Sequence, residues 1–165
     1  MNRPCVKGEA VPRQTILNEI AAPIDRVWQL LSDSKEFAFW APNIRELELE
    51  PDKFAIDTIR RFKLDVNGKI ETLETRITHC IPQQMFAETP TGGSLKLHEK
   101  VESLRMIYRI EEVDKKTTNF TFTIEYEMKG FMNKMLEKVI MGTFISQLRL
   151  WFERLQTYAE TGRVV

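Results

Sequence analysis

The 165-residue sequence is poor in the residues that staple, kink or coordinate: it has two cysteines, two histidines, seven glycines and seven prolines. Two thiols, Cys5 and Cys80, can neither staple a domain of this size nor build a four-thiolate zinc site, so both are expected to be free. Excess charge of either sign is also missing, because 24 Lys+Arg balance 24 Asp+Glu. No global field steers the chain toward DNA, RNA or an anionic surface, and a nucleic-acid partner is not expected. The longest uncharged stretch in the C-terminal part, 139–148, falls far short of the roughly 20 residues that cross a bilayer, which leaves transient membrane contact at most. Residues 1–14 carry Arg3, Lys7 and Arg13 but no apolar run of a signal peptide, so a flexible tail and a cytoplasmic location are expected.

Catalytic signatures are absent too. There is no HExxH, GxSxG, GxxxxGK[ST] or GxGxxG, and Gly92-Gly93 is a lone pair that suits a turn. His79 and His98 stand on different segments without a local carboxylate or thiol pattern. His79 shares strand parity with Leu73 and Ile77, which would turn it inward; it is the one weak catalytic candidate, with a hydrogen-bonded core histidine as the plainer alternative. No metal site and no cofactor are expected.

What the chain does have is 42% apolar residues in strongly periodic order, without repeats or linkers, which suits one domain over 15–160. Thr15 to Ile20 alternates as a first strand. Pro23 and Asp25 open a short helix with Ile24, Val27, Trp28 and Leu31 on one stripe. Ser32-Asp33-Ser34 caps a second, Lys35 to Trp40, which Pro42 stops. From Ile44 to Met128 the period falls to two, with turns at Pro51-Asp52-Lys53, Asn67-Gly68, Thr91 to Ser94 and Asp114-Lys115-Lys116. Gly130 marks the change to one long amphipathic helix, with Leu136, Ile140, Phe144, Leu148, Trp151, Leu155 and Tyr158 on its stripe and Gly162 as its stop. A single helix is too narrow to cover so broad a sheet unless the sheet curls around it, and curled sheets can leave an interior space.

Charge on the strands is expected on solvated faces. Arg60-Arg61-Phe62-Lys63 is the most basic stretch, but alternation sends Arg60 and Arg61 to opposite faces, so a solvated sheet face is expected, with an anion-binding or nucleic-acid role as the alternative. Cross-strand pairing of Arg60, Arg76, Arg105 and Arg109 with Glu48, Glu71, Glu74, Glu125 and Glu127 is the default. Methionine clusters around the start of the long helix, at Met128, Met132, Met135 and Met141, with Met85 and Met106 on strands. These flexible side chains suit an irregular core or a pocket for apolar ligands.

Ile20-Ala-Ala-Pro-Ile-Asp-Arg-Val-Trp-Gln-Leu-Leu-Ser-Asp33, followed by Phe39-Trp-Ala-Pro-Asn43, resembles the opening of the SRPBCC superfamily, the START-related, Bet v 1-like proteins. Glu125-Tyr-Glu-Met-Lys-Gly130 and the final helix resemble the closing segment of its polyketide cyclase/dehydrase and lipid-transport group. The resemblance implies an α+β helix-grip fold: a seven-stranded antiparallel curved sheet wrapped around the C-terminal helix, with two short helices between strands 1 and 2. It implies a small hydrophobic ligand (lipid, polyketide, quinone or aromatic) held between sheet and helix. Strand parity and helix phase nominate Trp40, His79, Met85, Met106, Tyr108, Tyr126, Met128, Met135, Val139 and Phe144 as its lining, with His79, Tyr108 and Tyr126 able to orient a polar head. The alternatives are a cyclase/dehydrase-type enzyme using the same cavity, with His79 or a tyrosine as acid or base, and a protein-partner-binding module.

Overall fold

The computed structural model describes residues 11–128 and 134–164, with the side chains of Lys134, Leu136 and Ile140 outside that description. Gly130 and Met132, and the side chains of Leu136 and Ile140 on the helical stripe, therefore lie outside the description. Seven strands form one antiparallel sheet in the order β1-β7-β6-β5-β4-β3-β2. They are β1 (Arg13–Ile20), β2 (Ile44–Glu50), β3 (Ile59–Val66), β4 (Lys69–Ile81), β5 (Met85–Gly92), β6 (Val101–Asp114) and β7 (Thr117–Met128). The helices among the described residues are α1 (Ile24–Ser32), α2 (Ser34–Trp40), α3 (Leu97–Lys100) and α4 (Lys134–Thr161). The two short helices, the strand meander and the final helix stand where the sequence periodicity puts them; α3 is an addition.

Local chemistry explains the joints. Asp33 caps α2 by accepting the Lys35 N–H at 2.8 Å, the role that frees short polar residues from helix interiors. Asn67 and Gly68 both have positive φ, 54° and 81°, as a two-residue hairpin turn requires, and the Gly68 N–H donates to Asp65 Oδ1 at 2.8 Å. At the far end, Gly162 has φ 68° and its N–H closes on the Tyr158 carbonyl at 2.9 Å, which terminates α4.

Alternation sorts the sheet into two faces. Phe120, Phe122, Ile124 and Tyr126 of β7 are buried, as are Leu104, Met106, Tyr108 and Ile110 of β6. These meet Met141, Ile145, Leu148, Phe152 and Leu155 of α4 in one core. The fully buried helix stripe is thus turned slightly from the expected one: Leu148 and Leu155 keep their places, while Phe144, Trp151 and Tyr158 are half-buried at its margin. The outer face of β2 to β4 carries ion pairs between Arg61 and both Glu50 and Glu74, between Lys63 and Glu46, and between Arg45 and Asp65. They are exposed and stabilise little. The cross-strand pairing expected for the charged residues is met here by Arg61, not by Arg60.

α4 packs closely against β1, α1 and α2. Gln156 reaches β1 through the Asn18 side chain and the Glu19 carbonyl, and Tyr158 stacks on Phe39 of α2 at 5.7 Å. At the start of the helix Met135 and Val139 are 68% and 62% exposed. Two glycines provide a test of this backbone. A Cβ on Gly93, where φ is 102°, would lie 2.4 Å from the Thr72 carbonyl oxygen, whereas one on exposed Gly142 in α4 would meet nothing within 4 Å. Urea unfolding is expected to show Gly93→Ala destabilised by at least about 1–3 kcal/mol and Gly142→Ala stabilised by about 0.5–1 kcal/mol.

Candidate functional site

The same alternation that builds the core carries charge into it. On β3, Arg60, Phe62 and Leu64 turn inward while Arg61 and Lys63 face solvent. On β5, Phe86, Glu88 and Pro90 are buried, and Thr75 of β4 and Tyr108 of β6 complete a row of one inward residue from each of four consecutive strands. Arg60 and Glu88 are each 1% exposed. The expectation that Arg60 belongs to a solvated face is therefore overturned: it shares parity with Phe62 and Leu64, and that face is the interior.

The four side chains form a closed polar cluster. Arg60 Nη1 donates to Glu88 Oε2 at 2.9 Å, the Thr75 hydroxyl donates to the same oxygen at 2.6 Å, and the Tyr108 hydroxyl donates to Glu88 Oε1 at 2.9 Å. Around it stands an aromatic wall. The guanidinium carbon lies 5.0 Å from the ring centre of Phe37, 5.7 Å from Phe54, 4.8 Å from Phe62 and 5.6 Å from Phe86, distances at which a ring quadrupole attracts a cation. Phe86 stacks on Tyr108 at 4.2 Å with 8° between planes, and Phe122 and Phe152 meet Tyr108 edge-on.

This environment sets the chemistry of its members. Burial, followed by the adjacent Glu88 charge, pushes the Tyr108 phenol well above its ordinary range, against the opposing effect of Arg60. Tyr108 is thus a protonated donor throughout the neutral range. Tyr126 is raised as well, by burial and by Glu137, to which it is hydrogen-bonded. Both carboxylate oxygens of Glu88 are satisfied. Arg60 Nε, by contrast, is buried without a hydrogen-bond partner among the described residues.

The nominated lining residues divide three ways. Trp40, Met106, Tyr108 and Tyr126 are buried on the interior side, and Met85, Met128 and Phe144 are half-buried. Trp40 is a core residue whose indole N–H is already bonded to the Leu30 carbonyl at 2.9 Å. His79, Met135 and Val139 are exposed. For His79 the cause is a register shift between Ile77 and His79 in the β4–β5 pairing: a bulge reverses the face of every later residue, so the inward parity shared by Leu73 and Ile77 ends before His79. Met135 and Val139 lie on the outer side of α4, where helix phase had been expected to turn them toward the sheet.

The recesses described among these residues also lie elsewhere. One of about 490 Å³ is bounded by Ile24, the Gln83-Gln84 turn, Met85 and outward residues of β6 and β7, including Arg109 and Asn119. Another, of about 200 Å³, lies over the outer charged face of β2 to β4. Met85 alone of the nominated residues borders either one. Among the described residues no group of three or more His, Cys, Asp or Glu is placed to hold a metal ion, and no helix is long and apolar enough to cross a membrane.

A seven-stranded antiparallel sheet curled about a long C-terminal helix, with two short helices after the first strand, defines the helix-grip class of α+β proteins. Within it, the chain belongs to the family described as polyketide cyclase / dehydrase and lipid transport, whose model matches residues 13–160. Its fold is similar to that of Ara h 8.0201, with 13% identity, a TM-score of 0.69, and 91% of this chain and 98% of that one covered. It is also similar to a START superfamily protein from Mycobacterium smegmatis, with 14% identity, a TM-score of 0.66 and coverage of 86% and 94%. The Zhui aromatase/cyclase from Streptomyces sp. R1128 matches with 18% identity, a TM-score of 0.65 and coverage of 94% and 100%. Comparison with curated protein sequences gives no match. The family thus supports a hydrophobic-ligand-binding or polyketide cyclase-type function, and the solved structures support the fold.

Removing one partner of a buried ion pair leaves the other charge uncompensated. Arg60→Met is expected to lose about 3–5 kcal/mol in urea unfolding, and the double variant Arg60→Met/Glu88→Gln to recover at least half of that loss; a double-variant loss equal to the sum of the Arg60→Met and Glu88→Gln losses would show the two charges to be uncoupled. Alkaline titration checks Tyr108. A phenol raised by folding contributes stability that is present below the ordinary tyrosine value of about 10 and lost as pH rises beyond it. Absorbance at about 295 nm, the phenolate band, should therefore show one tyrosine ionising only with unfolding, and Tyr108→Phe should remove that step.

Proposed function

We propose that this protein binds one small, largely apolar molecule between the inner face of the sheet and α4, with its polar end at the Arg60–Glu88–Tyr108 cluster. The observation that carries this reading is a fully buried ion pair on the inner face, surrounded by four aromatic rings. Stability alone is a poor reason for such a pair, because apolar side chains of similar volume serve as well or better. Buried charge with specific partners concentrates where a protein handles another molecule. The rings supply apolar contact, which contributes about 25 cal/mol for each Å² removed from water.

The packing of α4 supports the same location. Leu73, Leu95, Met128 and Phe144 pack against the core yet remain half-buried, and the exposed Met135 and Val139 stand at the start of the helix. Along the C-terminal half of α4, Phe152 and Leu155 are buried against the inner face. The family description joins polyketide cyclisation and dehydration with lipid transport, and each of these requires an apolar molecule to be held away from water.

A second reading, cyclase/dehydrase-type catalysis, is favoured by the family description; the Tyr108 phenol, raised by burial and with its proton held by Glu88, is too weak an acid to serve as its proton donor. His79, exposed to solvent, has no part in it. Native mass spectrometry of the purified protein tests the main reading. The expected result is one small-molecule adduct per chain that organic extraction removes, followed by saturable one-to-one binding of 1-anilinonaphthalene-8-sulfonate to the stripped protein. No adduct together with no saturable binding would overturn it.

A further inference from the structure

We infer that the bound molecule presents a hydrogen-bond acceptor, a carbonyl or carboxylate oxygen, to the Arg60 guanidinium, and that the site selects against ammonium groups; this rests on the interior being a ligand site. The argument is an account of donors and acceptors. Glu88 Oε1 receives the Tyr108 hydroxyl, and Glu88 Oε2 receives both Arg60 Nη1 and the Thr75 hydroxyl. The hydroxyl protons of Thr75 and Tyr108 are thereby committed, and the carboxylate has no oxygen left without a donor. The polar atom of the cluster that is buried without a partner among the described residues is Arg60 Nε. An arginine nitrogen can only donate. What complements it is an acceptor oxygen.

Charge narrows the class further. Arg60 and Glu88 neutralise each other at 2.9 Å, so a neutral ketone or ester enters without a net field to oppose it. A carboxylate is drawn to the guanidinium face, whereas an ammonium group would lie against a cation in surroundings of low dielectric. Of the four rings around the guanidinium, Phe37, Phe62 and Phe86 are buried on α2, β3 and β5, while Phe54 is half-buried in the connection between β2 and β3.

A matched naphthalene series tests this, read by displacement of 1-anilinonaphthalene-8-sulfonate at pH 7. 2-Acetylnaphthalene and 2-naphthoate are expected to bind at least about tenfold tighter than 2-ethylnaphthalene, the scale of one hydrogen bond to a charged donor; their order shows whether the neutral or the anionic acceptor is preferred. 2-(Aminomethyl)naphthalene is expected to bind at least about tenfold more weakly than the ketone. Arg60→Lys retains a cation for Glu88 but has no Nε donor, and should bring the ketone-to-ethyl ratio below about threefold. Equal binding of the ketone and ethyl compounds to the unaltered protein, or an ammonium compound as tight as the ketone, would overturn the inference while leaving apolar binding intact. Saturable binding of none of the compounds would overturn both. The series on the unaltered protein decides the matter even where the lysine variant fails to fold.

Discussion

Transferring a guanidinium and a carboxylate out of water costs several kcal/mol each, even after the protein relaxes around them, and Arg60 and Glu88 are both transferred almost completely. Only close pairing with further hydrogen bonds offsets that cost. Here the geometry depends on four strands at once, since Arg60, Thr75, Glu88 and Tyr108 come from β3, β4, β5 and β6. A one-residue slip at any of those pairings would send a member of the cluster to the opposite face. The ion pair is therefore also a constraint on register across the middle of the sheet. The irregularities of β4 belong to the same account. Shifts occur between Glu74 and Thr75 and between Ile77 and His79, and between them the strand keeps Thr75 and Ile77 buried in the interior.

Most of the fold was legible from the sequence because it rests on local chemistry and period. Asn67-Gly68, Asp33 and Gly162 act as turn, cap and stop through their own backbone preferences. The site was legible only in part. Tyr108 was nominated because it follows Met106 on a clearly alternating strand, and its inward position holds. Arg60 and Glu88 were missed because residue type was allowed to outweigh parity: an arginine beside another arginine suggests a wet surface. The signal was present in the spacing, since Arg60, Phe62 and Leu64 form an unbroken inward series, as do Phe86, Glu88 and Pro90. A charge at an inward position needs a second, opposite charge at another inward position. Searching for such a pair across strands would have nominated these two.

His79 shows the converse limit. Its parity was read correctly from Leu73 and Ile77, but a bulge is an event of strand pairing and leaves little trace in one strand's sequence. Met135 and Val139 fail for a related reason. Helix phase says which residues share a side, while the partner decides which side is covered, and the covered side of α4 bears Met141, Ile145, Leu148 and Phe152, which share one core with the inner face of the sheet.

The aromatic shell and the ion pair are best understood together. Phe37, Phe54, Phe62 and Phe86 exclude water from the guanidinium, which raises the strength of every hydrogen bond in the cluster and equally raises the cost of leaving one unmade. Apolar walls alone would favour any hydrocarbon of suitable size, and discrimination between such ligands is weak. A dry, immobile donor changes that balance. It penalises molecules that cannot satisfy it more than it rewards those that can, because the bound hydrocarbon must leave the donor unpaired whereas the bound acceptor does not. On the proposed reading, specificity in this interior comes from a small number of polar atoms, and its strength from the rings that keep them dry.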